Sequence, residues 1–493
     1  MLDKIKQLTT ETAIYGISTI LGRFLNFILV PLYTNVLKTS IYGIMTNIYA
    51  YIAFLNVIYV YGLESAYFKY ASTLEVGNKK ENFSTPFISI FLSSSIFTVL
   101  LYAFSSDIAE FISLSKEDAV LVKYSAWMLF FDALCVIPFA SLRLENKAKK
   151  FALIKLANIL LNVSLNIILL LVFKKGVYGI FISGVAASMF TFILLIPVIK
   201  SHFEFSFPQN LYNALLAFGL PYIPSGLSVM IIQVINRPML EKMMGYDAVG
   251  VFQANYRLGI FMMLVVSMFE YAWRPFFLSN AKEANAKEIF ARVLTYFTVF
   301  TCSVFLMISF FIEEIVQIPL PGRGHLIGSS YWGGLDIVPV ILLSYLFNGL
   351  YMNFIVGVYI EKKTKYLPLI TGLGAIANVI FNLLLIPPFG LMGAAIATLI
   401  SYIVMASGMY YYNQKVYLIK YEYNRLYKIA LSTGIVFFIF LLIDKRFSLV
   451  TEIVFKVLLL GSFAGSFFFT RFFYKNEMGH IKQLAGKFVK RGR

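Results

Sequence analysis

Apolar runs of about twenty residues follow one another along the whole of this chain, separated only by short polar stretches. They fall at 12–34, 43–64, 85–106, 119–140, 151–173, 177–199, 211–235, 248–270, 290–313, 336–358, 366–387, 390–413, 426–444 and 451–473. A helix rises 1.5 Å per residue, so about twenty apolar residues cross the roughly 30 Å hydrocarbon core of a bilayer. The pattern predicts an all-α polytopic membrane protein of about 14 transmembrane helices. The first run is too long, and too polar at its end, for a cleaved leader, and it is expected to stay in the mature chain.

Polar and glycine–proline landmarks recur in the two halves in the same order. Pro31, Gly43, Glu64, Ala66 and Tyr67 are answered by Pro238, Gly250, Glu270, Ala272 and Trp273. Asn162, Asn166, Gly176 and Gly179 are answered by Asn378, Asn382, Gly390 and Gly393. Each repeat holds six spans, so the two halves have the same orientation and are related by an axis along the membrane normal, as in parallel-repeat transporters. The expected units are a six-helix bundle over 1–205, a second over 206–415, and two added helices with a basic tail over 416–493. In such folds the substrate path lies between the halves.

The composition agrees, with 59% hydrophobic and only 14% charged residues. A soluble domain carries about 25% charged residues. The net charge of +17 raises the question of nucleic acid, but its distribution gives another reason for it. With an even number of spans both termini share one side. That side holds 28 lysines and arginines against nine on the other. Basic loops are retained in the cytoplasm, so both termini are expected there, and no aromatic-interleaved basic domain stands outside the membrane to bind nucleic acid. Cys135 and Cys302 lie inside apolar runs and form no disulfide framework. His202, His325 and His480 are isolated, without metal-ligand spacing.

Polar residues inside the spans mark the expected path. Arg23 lies near the centre of span 1, where a charge costs at least about 2.5–3.5 kcal/mol unless it faces a cavity or a partner. Asp132 lies at mid-depth in span 4. The two either form a structural ion pair, or Arg23 meets an anionic substrate while Asp132 serves as a proton or sodium site. Arg257 in span 8, Arg237 at the outer end of span 7 and Lys155 near the inner end of span 5 add positive charge. Arginine suits phosphate because its planar fork bonds two oxygens at once. Lys155 also has a simpler reading, as a side chain reaching the interface. Glu64 and Glu270 occupy equivalent inner ends of spans 2 and 8, as gate residues or as partners of Lys69 and Arg274. Asn162, Asn166, Asn378 and Asn382, at four-residue spacing, read as helix-packing hydrogen bonds or as contacts to substrate hydroxyls. The glycines at 176–184 and 390–393 read as close helix packing.

Several chemistries are missing. No G-x-x-x-x-G-K-[ST] phosphate loop is present, the stretch Gly322 to Gly328 misses the dinucleotide pattern, and no nucleophile elbow appears. The longest external loop, roughly 314–335, is short for a glycan polymerase or ligase. The chain is therefore not expected to be an enzyme.

The run from Gly22-Arg23 through Pro31 to Thr34, then Tyr42-Gly43, then Gly62-Leu63-Glu64 to Lys69, resembles the N-terminal signature of the bacterial polysaccharide-synthesis flippases. These are the O-antigen (Wzx-type) transporters of the multidrug/oligosaccharidyl-lipid/polysaccharide superfamily. Asn236-Arg237-Pro238, Glu270 to Phe276, and Asn382 to Pro387 followed by Gly390 to Ala395 resemble the same family's second half. The resemblance covers essentially the whole chain and implies a MATE-like fold of two bundles in a V, located in the bacterial inner membrane. It implies flipping of a polyprenyl-diphosphate-linked oligosaccharide to the periplasmic leaflet, with basic cavity residues holding the diphosphate. That role would fall first to Arg23, then to Arg257 and Arg237. Membrane lipids and polysaccharide-assembly proteins are the further partners it suggests. No cofactor is expected beyond coupling to a proton or sodium gradient. A cation-coupled multidrug exporter and a peptidoglycan-precursor flippase are the alternatives.

Overall fold

The structure, a computed structural model, describes residues 27–320, 322, 324–442, 449–474 and 477–479. Every long apolar run in this range is helical. The described part of α1 is Phe27–Val36. The rest of the first half comprises α2 (Thr39–Thr73), α3 (Lys79–Ala103), α4 (Lys116–Leu144), α5 (Ala148–Val172) and α6 (Gly176–His202). The second half holds α7 (Gln209–Val234), α8 (Tyr246–Asn280), α9 (Ala286–Phe310) and α10 (Ile337–Ile360). The 53-residue stretch Thr364–Val416 is too long for one crossing. It breaks at Gly390, whose φ of 55° and ψ of −128° are not helical, into α11 (364–389) and α12 (390–416). Tyr423–Leu441 and Val450–Phe469 form α13 and α14. The expected architecture of about fourteen spans is present.

The repeat is written in the backbone as well as the sequence. Gly176 and Gly390, equivalent landmarks, both take left-handed φ, at 56° and 55°. Only glycine does this without strain, so each turns the chain sharply between the fifth and sixth helix of its half. The reading as a close-packing glycine is corrected for Gly176, because no atom lies within 4 Å of a Cβ there, but holds for Gly390, whose Cβ would lie 3.2 Å from the Met244 Cε. The tightest contacts fall to the glycines three residues on. A Cβ at Gly179 would lie 3.0 Å from the Leu169 Cβ, and one at Gly393 only 2.0 Å from the Leu385 carbonyl oxygen.

The two halves meet at a second equivalent pair. A Cβ on Gly43 of α2 would lie 1.9 Å from the carbonyl oxygen of Tyr246, and one on Gly250 of α8 would lie 2.0 Å from that of Thr39. The contact is reciprocal, each glycine receiving the backbone at the start of the other's helix, as an interface across a two-fold axis requires. Thr39 donates a short hydrogen bond to the Asp247 carboxylate beside it. The loop 311–336 braces the same end. It folds into a short helix (Ile312–Val316), an antiparallel hairpin pairing Pro319–Leu320 with Gly324–His325, and a 3₁₀ turn over Ser329–Gly334. From there the Gly328 N–H donates to Thr34 Oγ1 at 3.1 Å and the Tyr331 hydroxyl to the Leu37 carbonyl at 3.0 Å. At the other end of the bundle, a Cβ on Gly219 of α7 would lie 3.1 Å from the Tyr61 carbonyl oxygen. Tyr61 and Gly62, with φ of 33° and 76°, bend α2 there.

The added helices are tied by charge to α9 at one end and to the short helix that follows it at the other. Lys456 of α14, 2% exposed, reaches Glu314 at 2.6 Å and Glu452 at 2.7 Å. At the opposite end Arg425 is paired with Glu422 at 2.9 Å and Glu477 at 3.2 Å. Arg292 of α9 lies 3.6 Å from Glu422. Arg425, one of the 28 basic residues assigned to the cytoplasmic side, is buried.

Candidate functional site

A cavity of about 630 Å³ lies within the first half, walled by α1, α2, α4, α5 and α6. Asp132, Lys155, Asn162 and Glu64 line it. Two further linings come from the other half: Arg237, on the helix Asn236–Met244 that continues α7, and Arg257, on a 3₁₀ turn in the middle of α8. The local sequence explains this reach. The α7 continuation begins at Asn236-Arg237-Pro238, and proline near a helix start leaves no intrahelical donor unmade.

The two arginines are held without neutralisation. Arg237 Nε donates to Gln253 Oε1 at 2.8 Å and Nη1 to the Thr46 carbonyl at 3.3 Å. Arg257 has a buried Nε without a hydrogen-bond partner. Among the described residues no carboxylate lies within ion-pair distance of either. Two such charges at membrane depth cost on the order of 5 kcal/mol if dry, so the fold keeps them for water or an anion. Gln253 was missed in the sequence, although it sits four residues before Arg257 and so on the same helical face.

Both arginines also line a second cavity of about 500 Å³ within the other half. Glu270 lies on its wall. The arginine pair therefore stands where the two compartments adjoin.

The remaining predicted residues sort by contact. Arg23 lies outside the described residues, and so does any pairing of it with Asp132. Asp132 has Ser188 of α6 as a hydrogen-bond partner and Lys155 as the nearby cation. The Lys155 ammonium sits 4.4 Å from the centroid of the Phe139 ring, a cation–π contact on the cavity wall. Glu64 pairs not with Lys69 but with Arg143 at the end of α4, at 2.8 Å. Lys69 lies instead over the Tyr70 and Phe218 rings. Glu270 pairs with Arg274 at 3.3 Å. The two glutamates are equivalent in sequence and both meet an arginine, one across helices and one within its own.

The asparagines show the repeat again. Asn166 Nδ2 donates to the Asn162 carbonyl at 2.8 Å, and Asn382 Nδ2 to the Asn378 carbonyl at 2.8 Å. Asn166 accepts from the Tyr33 hydroxyl at 2.9 Å. Asn382 donates to Asn236 Oδ1 at 2.9 Å, and Asn236 donates to Thr398 Oγ1 at 2.7 Å. Asn166 and Asn382 are buried in interhelical bonds, which is how polar side chains join helices in lipid, while the buried Asn378 bonds only Asn382 of its own helix. Asn162 also faces the first cavity. Asn158, not singled out in the sequence, lines the same wall and bonds Thr191 Oγ1 at 2.7 Å.

At the polar surface beyond α4, Glu145 accepts from His202 at 2.7 Å and meets Lys147 at 2.8 Å and Lys79 at 3.1 Å. Partial burial acts to raise its pKa, but these hydrogen bonds together outweigh it and hold the carboxyl down at about 2.

The model of a family described as polysaccharide biosynthesis protein matches residues 34–323. No curated protein matches the chain by sequence. Among solved structures, the lipid II flippase MurJ in an inward closed conformation is similar with a TM-score of 0.72 and 18% identity, over 92% of this chain and 99% of that one. An inward-facing multidrug resistance MATE family transporter of the MOP superfamily is similar with a TM-score of 0.61 and 15% identity, over 81% and 93%. A Vibrio cholerae MATE transporter follows at 0.59 and 13%, over 84% and 96%. At these identities the likeness is one of fold.

Proposed function

This chain belongs to the polysaccharide biosynthesis protein family, and we propose that it acts as a flippase carrying a polyprenyl-diphosphate-linked oligosaccharide from the cytoplasmic to the periplasmic leaflet. The observation that carries the reading is the pair Arg237 and Arg257. Both come from one half, both line the cavity of the other, and neither has a carboxylate partner among the described residues. A diphosphate cannot cross hydrocarbon bare, since an unpaired ion in a low-dielectric medium is prohibitively unfavourable. Arginines at a wet junction replace its hydration shell with bidentate hydrogen bonds. The lipid tail stays in the bilayer throughout. Alternate opening of the two ends then moves the headgroup across. Arg23, on α1, is proposed as a third ligand of the same diphosphate.

A cavity of about 630 Å³ lies in the ordinary range for an enclosed small ligand, about 300–1,000 Å³. Asp132, with Ser188 and Lys155 around it, is the proposed site where a proton or sodium ion couples to the cycle. Multidrug export would favour an acidic cavity, and this one holds Arg143, Lys155, Arg237 and Arg257 against Glu64 and Asp132. A peptidoglycan precursor carries the same diphosphate and is separated by experiment alone.

The test is transport in proteoliposomes. Fluorescent polyprenyl-diphosphate oligosaccharide is expected to leave the leaflet accessible to an impermeant quencher only where protein is present. Arg257→Gln and Arg237→Gln are each expected to slow this at least tenfold, since a charge-assisted hydrogen bond contributes about 1.5–3 kcal/mol. Arg23→Ala is expected to abolish it with expression intact. Movement of peptidoglycan precursor alone would reassign the substrate. Movement of neither, with cationic drugs exported instead, would overturn the reading.

A further inference from the structure

We propose that the second cavity is a glycan compartment: a neutral, tyrosine-lined site that takes the uncharged sugar rings while Arg237 and Arg257, at its boundary, hold the diphosphate. The proposal rests on the flippase reading above and adds to it where the sugars go.

The two compartments share their arginines but not their chemistry. Beyond that pair, the first holds Lys155, Arg143, Asp132 and Glu64. The second holds no further cation, and its one carboxylate, Glu270, is engaged by Arg274. Its uncharged polar lining includes Tyr256, Tyr345, Tyr402, Asn348 and Thr371, set among aliphatic and methionine side chains. The repeat makes the contrast sharp. At the offset that relates Asn162 to Asn378, Lys155 falls on Thr371. Both line their own compartment. The same position of the same helix is thus an ammonium on one side and a hydroxyl on the other.

This lining matches a sugar. A pyranose offers hydroxyls that both donate and accept around its rim, and apolar C–H faces above and below. Phenol and amide groups supply both roles without charge, and tyrosine rings supply flat apolar walls. The groups are also available. The Tyr256 and Tyr345 hydroxyls bond each other at 3.3 Å. Among the described residues Tyr402 and Asn348 have no hydrogen-bond partner, although Tyr402 is only 5% exposed. Neither group is sealed off from the cavity, so both are open to water or to ligand hydroxyls there. Gln253 joins the compartments, since it lines the second and accepts from Arg237 Nε. A phosphate on the arginines and a sugar against the tyrosines would be neighbours, as they are in a sugar diphosphate.

The experiment uses full-length protein in proteoliposomes and two probes. One is the polyprenyl-diphosphate oligosaccharide pool extracted from the membranes of the source cells. The other is synthetic polyprenyl diphosphate bearing no sugar. Tyr402→Phe and Asn348→Ala each remove hydrogen-bonding groups and leave the arginines in place. Each is expected to slow the oligosaccharide about 3- to 10-fold and to leave the sugar-free lipid within twofold of the unaltered protein. Arg257→Gln is expected to slow both probes alike. Equal losses on both probes, or no loss on either, in the Tyr402→Phe and Asn348→Ala proteins would overturn the compartment and leave the flippase reading standing. An unaltered protein that moves neither probe would overturn both.

Discussion

Replacing Gly43 with alanine should open one end of the molecule. The added Cβ would stand 1.9 Å from the Tyr246 carbonyl oxygen and 3.1 Å from the Gly250 nitrogen. Both obstacles are helix backbone, which cannot swing aside as a side chain can. Ordinary van der Waals contact begins at 3.4 Å, so α2 and α8 must separate by about 1.5 Å. Overpacking of this kind costs about 1–3 kcal/mol. The cost falls only on the state in which the two helices touch, so it shifts the balance toward the state open at this end by about 5- to 150-fold. At the other end Gly219→Ala brings its Cβ to 3.1 Å from the Tyr61 carbonyl. That is tight but within a small adjustment, so its effect should be opposite in direction and several-fold smaller. Gly333→Ala, with nothing within 4 Å, is the control. The assay is a distance distribution between spin labels at Lys38→Cys and Met244→Cys in lipid nanodiscs; both native cysteines are buried and stay unlabelled. Gly43→Ala is expected to lengthen the distribution and to slow transport, because a cycle needs both states. An unchanged distribution in Gly43→Ala, or an equal one in Gly219→Ala, would refute the claim that the glycine crossing sets the closed state.

Two further predictions concern charge away from the cavities. Lys456→Met leaves Glu314 and Glu452 without their shared cation; breaking a buried pair costs about 3–5 kcal/mol, so a clear fall in thermal midpoint in detergent is expected, and an unchanged midpoint would refute the attachment of α14 through this ion cluster. Glu145, held down at about 2, stabilises the fold fully above its usual carboxylate range and loses that contribution as pH falls through about 2. The midpoint of Glu145→Gln should therefore lie below that of the unaltered protein from pH 8 to 5, with the gap closing below about pH 4.5; a gap independent of pH would show that the ion cluster is not its source.

The architecture was legible because membrane spanning leaves few choices. Each span must be apolar along its length and satisfy its own backbone, so hydropathy alone located the helices, including the pair that Gly390 divides within one 53-residue stretch. The grouping of Arg237, Arg257, Lys155, Asp132 and Glu64 around one cavity was legible as a set of intramembrane charges but not as a place. Nothing in a run of apolar residues says which face of a helix is wet. The second cavity was invisible for a related reason. Four tyrosines line it among aliphatic and methionine side chains, and a hydropathy scan gives each tyrosine one value that says nothing of where its hydroxyl points. Arg425 and Lys456 each have one carboxylate at helical spacing, Glu422 and Glu452, but their second partners, Glu477 and Glu314, lie far along the chain, where spacing carries no signal.

The repeat and the chemistry obey different rules, and the difference bears on mechanism. The crossing of Gly43 with Gly250, the turns at Gly176 and Gly390, and the asparagine pairs are the same in both halves. These are parts that must move or hold identically for two bundles to rock about a common axis. The arginines at the cavity junction are not repeated. At the offset that relates Gly43 to Gly250, Arg237 and Arg257 fall on Val30 and Ala50, both buried and apolar. A cationic site in each half would give a headgroup two equal resting places and no reason to stand between them. On the proposed function, two arginines from one half, opening onto both compartments, would hold the anion at the junction whichever end is open. A rocking motion about that junction would change which side the ligand faces without requiring it to leave its charge partners, and this would keep the least hydrocarbon-soluble group paired through the step where burial would cost most.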